Sequence, residues 1–118
     1  MTPARKRTWF RRWFAGHAAG RLVSTFETVR VAGLQHLRDA LAAGPVVVVS
    51  NHVCWWDPMV ALVLTERVVP CDSYAMMDER NLRRLPFLGL IGGFGVDLTH
   101  AGDGAATIRY AARLLDAP

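Results

Sequence analysis

The stretch Pro45 to Pro58, PVVVVSNHVCWWDP, decides how this chain folds. Its four valines, Val46 to Val49, are β-branched and apolar at successive positions. An uninterrupted run of that kind predicts a strand covered on both faces, as in a parallel sheet. Asp57 and Pro58 then predict a helix over 58–66, with the aspartate as N-cap and the proline at the first helical position. His52 and Asp57 therefore fall in the turn after a buried strand, where open α/β sheets bind their ligands.

Working outward, the same alternation recurs. FETVRVAG predicts a strand from Phe26 to Val31, ended by Gly33. LQHLRDALAA predicts a helix with apolar residues at 34, 37, 40 and 41, stopped by Gly44. SYAMM predicts a strand, and residues 78–91 read as helix in pieces broken at Pro86. FGVDL predicts a further strand, and DGAATIRYAARLLDA a helix with apolar positions 105, 108, 111, 112 and 115. Strands alternating with helices imply an α/β fold, a mainly parallel sheet of about four strands flanked by helices. The chain stops after a helix, where the next strand of such a series is expected, so the sandwich reads as incomplete. The glycines of GLIGGFG (Gly89, Gly92, Gly93 and Gly95) match neither phosphate-binding glycine pattern and read as turn and close-packing positions.

At 118 residues and 52% apolar content, the chain can form one small core and is not of disordered composition. It contains no apolar run long enough to span a bilayer, and no secretory signal pattern follows its basic start. Two cysteines do not make a disulfide framework, which points to a reducing cytoplasm. The net charge of +4 is concentrated at one end. Arg5, Lys6, Arg7, Arg11 and Arg12 fall in the first 14 residues with no acid among them, while the other nine basic and ten acidic residues nearly cancel. In RKRTWFRRWF the aromatics at 9, 10, 13 and 14 cluster on one helical sector, with Arg5, Arg11 and Arg12 opposite. That pattern predicts an amphipathic helix lying in the interface of an anionic membrane, or else a helix packing its aromatics on the protein body. No further basic patch supports a nucleic-acid partner.

His52 and Asp57 can act together. A histidine near neutral pKa can take a proton from a hydroxyl, and a carboxylate can fix its tautomer and stabilise the imidazolium. The same two residues could equally end a strand and cap a helix. Cys54 leaves two rivals open, a nucleophile activated by His52 or a metal ligand beside His52 and Asp57. No second ligand pair accompanies them, and His17, His36 and His100 lie in unrelated contexts, so no metal is expected. Trp55 and Trp56 could wall an acyl channel or fill the core.

VVVVSNHVCWWDP resembles the first motif of the glycerolipid and lysophospholipid acyltransferase family, a valine-rich strand followed by Asn-His-x4-Asp. VRVAGLQHL is similar to the strand and turn that precede that motif. YAMMDERNLRRLPFLGLIGGFGVDL is similar to the family's second block. The resemblance covers about residues 28–116. It implies that 26–118 is the N-terminal part of an acyltransferase domain, ending before the third block, and that the basic aromatic helix read at 1–25 would hold that domain on the membrane. It also implies transfer of a fatty acyl group from acyl-CoA or acyl carrier protein, as co-substrate with no bound cofactor, to a lysolipid hydroxyl. By that resemblance His52 is the general base and Asp57 its orienting partner, on the inner face of the cell membrane. The second block usually ends Ile-Asp-Arg, the arginine holding the acceptor's phosphate. Here the residues are Val96-Asp97-Leu98, and Met77 stands where a lysine is common. Leucine cannot pair with phosphate. Either Asp97 and Arg109 serve the acceptor here, or the acceptor is not a phosphate ester. The competing expectation is a non-catalytic or degenerate membrane-surface protein, or an inactive piece of the enzyme.

Overall fold

Strand β1 (Ala75–Asp78) pairs in parallel with β2 (Gly93–Val96), Ala75 opposite Gly93 and Asp78 opposite Val96. Parallel neighbours need a crossover between them. Here it is made by α4 (Glu79–Arg84) and α5 (Phe87–Leu90). Asp78 starts α4 by accepting from the Arg80 amide at 2.9 Å, an N-cap on the last strand residue. Pro86 disfavours helical geometry at Leu85, and α4 ends one residue earlier, at Arg84. After β2 the chain forms α6 (Asp103–Asp116), which packs on β2 with Tyr110 edge-on to Phe94 at 5.1 Å. Leu82, Leu88 and Phe94 form the buried centre. The buried Thr107 hydroxyl is satisfied by the Asp103 carbonyl, 2.9 Å away.

This computed structural model describes residues 1–51 and 54–117. They divide into two units, Met1–Arg11 with Ser73–Pro118, and Arg12–Asp72. The first is the strand unit just described. Its N-terminal segment lies against β2, where Thr2 and Gly95 exchange antiparallel bonds at 3.0 and 2.8 Å. The Arg5 amide donates to Gly89 at 3.0 Å, the Arg7 amide to Leu90 at 2.9 Å, and the Ala4 amide to the Tyr110 hydroxyl at 3.0 Å.

Two glycines of β2 are required by packing. A Cβ on Gly95 would lie 2.7 Å from Leu82 Cδ1 and 3.0 Å from the Glu79 Cα, and one on Gly93 would lie 2.8 Å from the Leu88 carbonyl oxygen. The close-packing reading of this glycine cluster is borne out at these positions.

The second unit is helical among its described residues. It holds α1 (Thr8–Thr25) from Arg12 onward, α2 (Leu34–Ala43) and α3 (Trp56–Val63), which runs on into a π-helical turn at Leu64–Val68. Ala15, Ala18, Leu22, Leu62 and Val69 are its buried apolar residues. Phe26 meets Trp56 edge-on at 5.0 Å.

The fold class expected from the sequence holds: α/β, with parallel pairing flanked by helices and a helix near the N-terminus. Three expectations are corrected. Residues 26–31 and 45–50 are not strands, and the sheet among the described residues has two strands where about four were expected. Val47, Val48 and Val49 are 71%, 71% and 89% exposed. A β-branched run becomes a strand only when a neighbour completes its ladder. Among the described residues, the unit that contains these valines holds no strand to do so. The third correction concerns α1. It begins at Thr8, because residues 2–7 are drawn into main-chain bonds with β2, α5 and Tyr110. Arg11 does not face solvent opposite the aromatics. It is only 4% exposed, and its guanidinium donates to the Ser73 carbonyl at 3.3 Å and to the Ser73 hydroxyl. Trp9 and Trp13 take the outward positions instead, at 70% and 63% exposure.

Candidate active site

Asp57 is not the N-cap expected of it: α3 starts at Trp56, two residues before the expected start, so Trp55 takes the cap position without a side-chain bond and Asp57 sits in the first turn. A carboxylate there is favoured by the exposed amides and the positive end of the helix dipole. Its side chain reaches back to Cys54. Oδ2 accepts from the Cys54 amide at 3.1 Å, Oδ1 lies 3.8 Å from the Cys54 thiol, and the Asp57 amide donates to the Cys54 carbonyl at 3.2 Å. The turn from Cys54 to Asp57 is thereby closed at the helix entrance by backbone and side chain together. Asn51 is described and exposed, whereas His52, the expected base, lies outside the described residues.

The two tryptophans diverge. Trp56 is half-buried against Phe26, while Trp55 is 48% exposed and projects from the helix start. Cys54 is exposed and free, with its thiol turned to Asp57. Among the described residues no group of three or more histidine, cysteine or acidic side chains could hold a metal.

Asp97 and Arg109 belong to the other unit. Asp97 directly follows β2 and anchors a tight turn. Its Oδ1 accepts from the Thr99 amide at 2.9 Å and the Thr99 hydroxyl at 2.6 Å, and its Oδ2 lies 2.7 Å from His100 Nδ1. The Arg83 guanidinium stands 3.9 Å from the same oxygen. The Thr99 bonds, and then His100, hold the Asp97 carboxyl down at about 2, and it is ionised throughout the neutral range. Asp103 accepts the Asp97 amide at 2.6 Å and pairs with the Met1 ammonium at 2.5 Å. The ammonium and the Asp97 amide lower its pKa below the usual value.

Around these groups lies an open cavity of about 470 Å³, lined by Met1, Glu79, Asp97, His100, Ala101, Gly102 and Asp103. Arg109 is exposed on α6 and is not among the lining residues. Leu98 is 73% exposed. His100 was not singled out from the sequence. The local signal was Asp97-x-x-His100 with Thr99 between, a spacing common in ordinary turns.

The family whose sequence model matches this chain is described as Acyltransferase, and the match spans residues 28–117. Neither a curated protein nor a solved structure matches the chain. The matched stretch contains the sequence from Asn51 to Asp57, α3, both strands and α6.

Proposed function

The chain belongs to the acyltransferase family, and from that premise we propose that it moves a fatty acyl group from a thioester to a hydroxyl of a lysolipid-type acceptor. The donor is acyl-CoA or an acyl carrier protein, so the protein itself needs no bound cofactor. His52 takes the proton of the acceptor hydroxyl, the oxygen attacks the thioester carbonyl, and the C–S bond breaks as the new ester forms. The proton returns to the departing thiolate. Asp57 orients the imidazole. The observation that carries this reading is the carboxylate of Asp57, set at the entrance of α3 inside the family match. Trp55, half exposed at the same helix start, is suited to line the acyl chain's path.

The reaction belongs at a membrane, since its acceptor resides there. Trp9 and Trp13 support that assignment, because they stand outward one helical turn apart, with Arg12 exposed between them. No helix among the described residues is long and apolar enough to cross a bilayer. The proposed attachment is therefore peripheral, on the anionic inner face of the cell membrane.

The test is thiol release from acyl-CoA in the presence of lysolipid acceptors on vesicles. His52→Ala is expected to lower the rate by about 10²–10⁴-fold, the usual worth of a general base. An unchanged rate in this variant would remove His52 from the chemistry. The same outward tryptophans favour a second reading, a membrane-surface protein without catalysis. Vesicle binding with no thiol release from any acceptor would select it.

A further inference from the structure

We propose that a groove between the N-terminal segment and the α4–α5 crossover takes the phosphodiester head group of an anionic phospholipid, held between Arg5 and Arg83. The choice of a lipid as the source of that group rests on the peripheral-membrane reading.

The main-chain bonds from Arg5 to Gly89 and from Arg7 to Leu90 fix residues 5–7 along α5. Side chains alternate along an extended segment of this kind. Lys6 turns to the body, with its ammonium over the Tyr74 ring at 3.9 Å and on the Ser73 carbonyl at 3.3 Å. Arg5 and Arg7 are left exposed. The Arg5 guanidinium lies across Gly89, where a Cβ would stand 3.8 Å from its Nε. Among the described residues no carboxylate pairs with it. The groove, about 110 Å³, is lined by Arg5, Arg83, Gly89 and the apolar side chains of Pro3, Leu82 and Pro86, with no acid among the described lining residues. Arg83 has Glu79 at 3.4 Å and Asp97 at 3.9 Å, but both are reached by Nη2 alone. A guanidinium carries donors on every nitrogen, so Nε and Nη1 keep theirs for a ligand. The sequence shows one basic cluster at the N-terminus, and only the fold brings an arginine of α4 to it.

The ligand class follows from that lining. Two guanidiniums with spare donors and no acid between them select an anion, and their fork geometry suits the oxygens of a phosphate group. The space admits one phosphate group and excludes a nucleotide. The apolar wall separates the sources. Inorganic phosphate has no carbon to lay on Pro3, Leu82 and Pro86, whereas a phosphodiester head group carries carbon on both sides of its charge. Trp9 follows Arg5 and Arg7 in the same unit and stands 70% exposed. An outward tryptophan beside arginines belongs at the depth of lipid head groups.

Two measurements test this on the intact protein. In the first, backbone amide signals are followed by NMR during separate titrations with monomeric dihexanoyl phosphatidylglycerol, inorganic phosphate and a short polyglutamate. The Gly89 amide is expected to shift saturably with the phosphatidylglycerol and much more weakly with the other two. Arg5→Gln and Arg83→Gln are each expected to weaken that binding about tenfold, the worth of a hydrogen bond to a charged group. Both side chains are exposed, so these substitutions leave the buried centre intact. Equal binding of inorganic phosphate, a response to polyglutamate alone, or no response to the phosphatidylglycerol overturns the proposal. In the second, co-sedimentation with phosphatidylglycerol vesicles is compared between wild type and the two variants. Each substitution is expected to weaken vesicle binding about fivefold, the usual effect of one cation at an anionic surface. If wild type binds the vesicles and both variants bind them equally well, the groove fails and the membrane reading stands. If wild type leaves the vesicles unbound while the short-chain lipid still shifts Gly89, peripheral attachment fails and the head-group site stands.

Discussion

Asp97 gathers the Thr99 amide, the Thr99 hydroxyl and the His100 ring onto one carboxylate within three residues of itself. Those bonds favour the ionised form and depress its pKa to about 2 from the usual 3.8. The folded value lies below the unfolded one, so the stability these contacts contribute is present above pH 3.8 and is lost as pH falls through about 2. In an acid titration the Thr99 amide signal is expected to keep its native position well below pH 3.8, and Asp97→Asn is expected to abolish that plateau. Asp57 does a related job at α3, where it satisfies the Cys54 amide. Asp57→Ala is expected to destabilise the protein by about 0.5–1.5 kcal/mol, the net worth of one hydrogen bond, read as a lower urea midpoint. Asp57 was legible because Asp-Pro is a strong start signal, even though the helix begins two residues earlier at Trp56. His100 was not, since an Asp-x-x-His turn acquires meaning only when strand ends and a cavity are seen around it.

Among the elements, α6 and the two observed strands lie close to where periodicity put them, because each has a partner that rewards its pattern, whereas α2 forms where its periodicity put it with none of its residues buried. The valine run shows the opposite. Residues 46–49 have strong strand propensity, but propensity alone does not supply hydrogen-bonded neighbours, and Val47–Val49 stand in solvent. Their amides are expected to exchange with deuterium far faster than those of β2. Protection equal to that of β2 would mean that the run is paired in solution. β2 depends on the absence of side chains at Gly93 and Gly95. Gly95→Ala drives a Cβ against the Glu79 backbone at 3.0 Å, which a rotamer change cannot relieve. It is expected to cost about 1–3 kcal/mol, with the urea slope unchanged. On α1 the aromatic cluster was legible and its orientation was not. The burial of Arg11 against Ser73 depends on the segment leading into β1, 62 positions away, which no local periodicity encodes. Replacing both Trp9 and Trp13 with alanine is therefore expected to weaken binding to anionic vesicles with little change in stability. Unchanged vesicle binding would count against this face as the membrane contact.

At the scale of the whole molecule, the chain is organised as two units, one of them discontinuous in sequence. The sequence suggested a boundary near residue 25, from the contrast between a basic aromatic start and a neutral body. Contacts group the chain differently, into units that meet near Arg11 and Ser73 in sequence. Composition reports charge and hydropathy, whereas the first unit is tied together by main-chain bonds from Thr2, Arg5 and Arg7 to residues 83 to 93 positions later. Backbone bonding of that kind leaves no mark on which side chains are present.

The bond between Thr2 and Gly95 also sets an order of events during synthesis. The first eleven residues leave the ribosome long before the strand unit they belong to exists. At roughly 5–20 residues per second, the 61 residues between Arg11 and Ser73 take about 3–12 s to follow. For that interval those eleven residues present four cationic side chains and two aromatic rings with their partners in the strand unit not yet made. A bilayer close to the exit tunnel meets that segment before β2 does. The proposed contact with a membrane and the completion of the fold would thus be two claims on the same short piece of chain, made in that order.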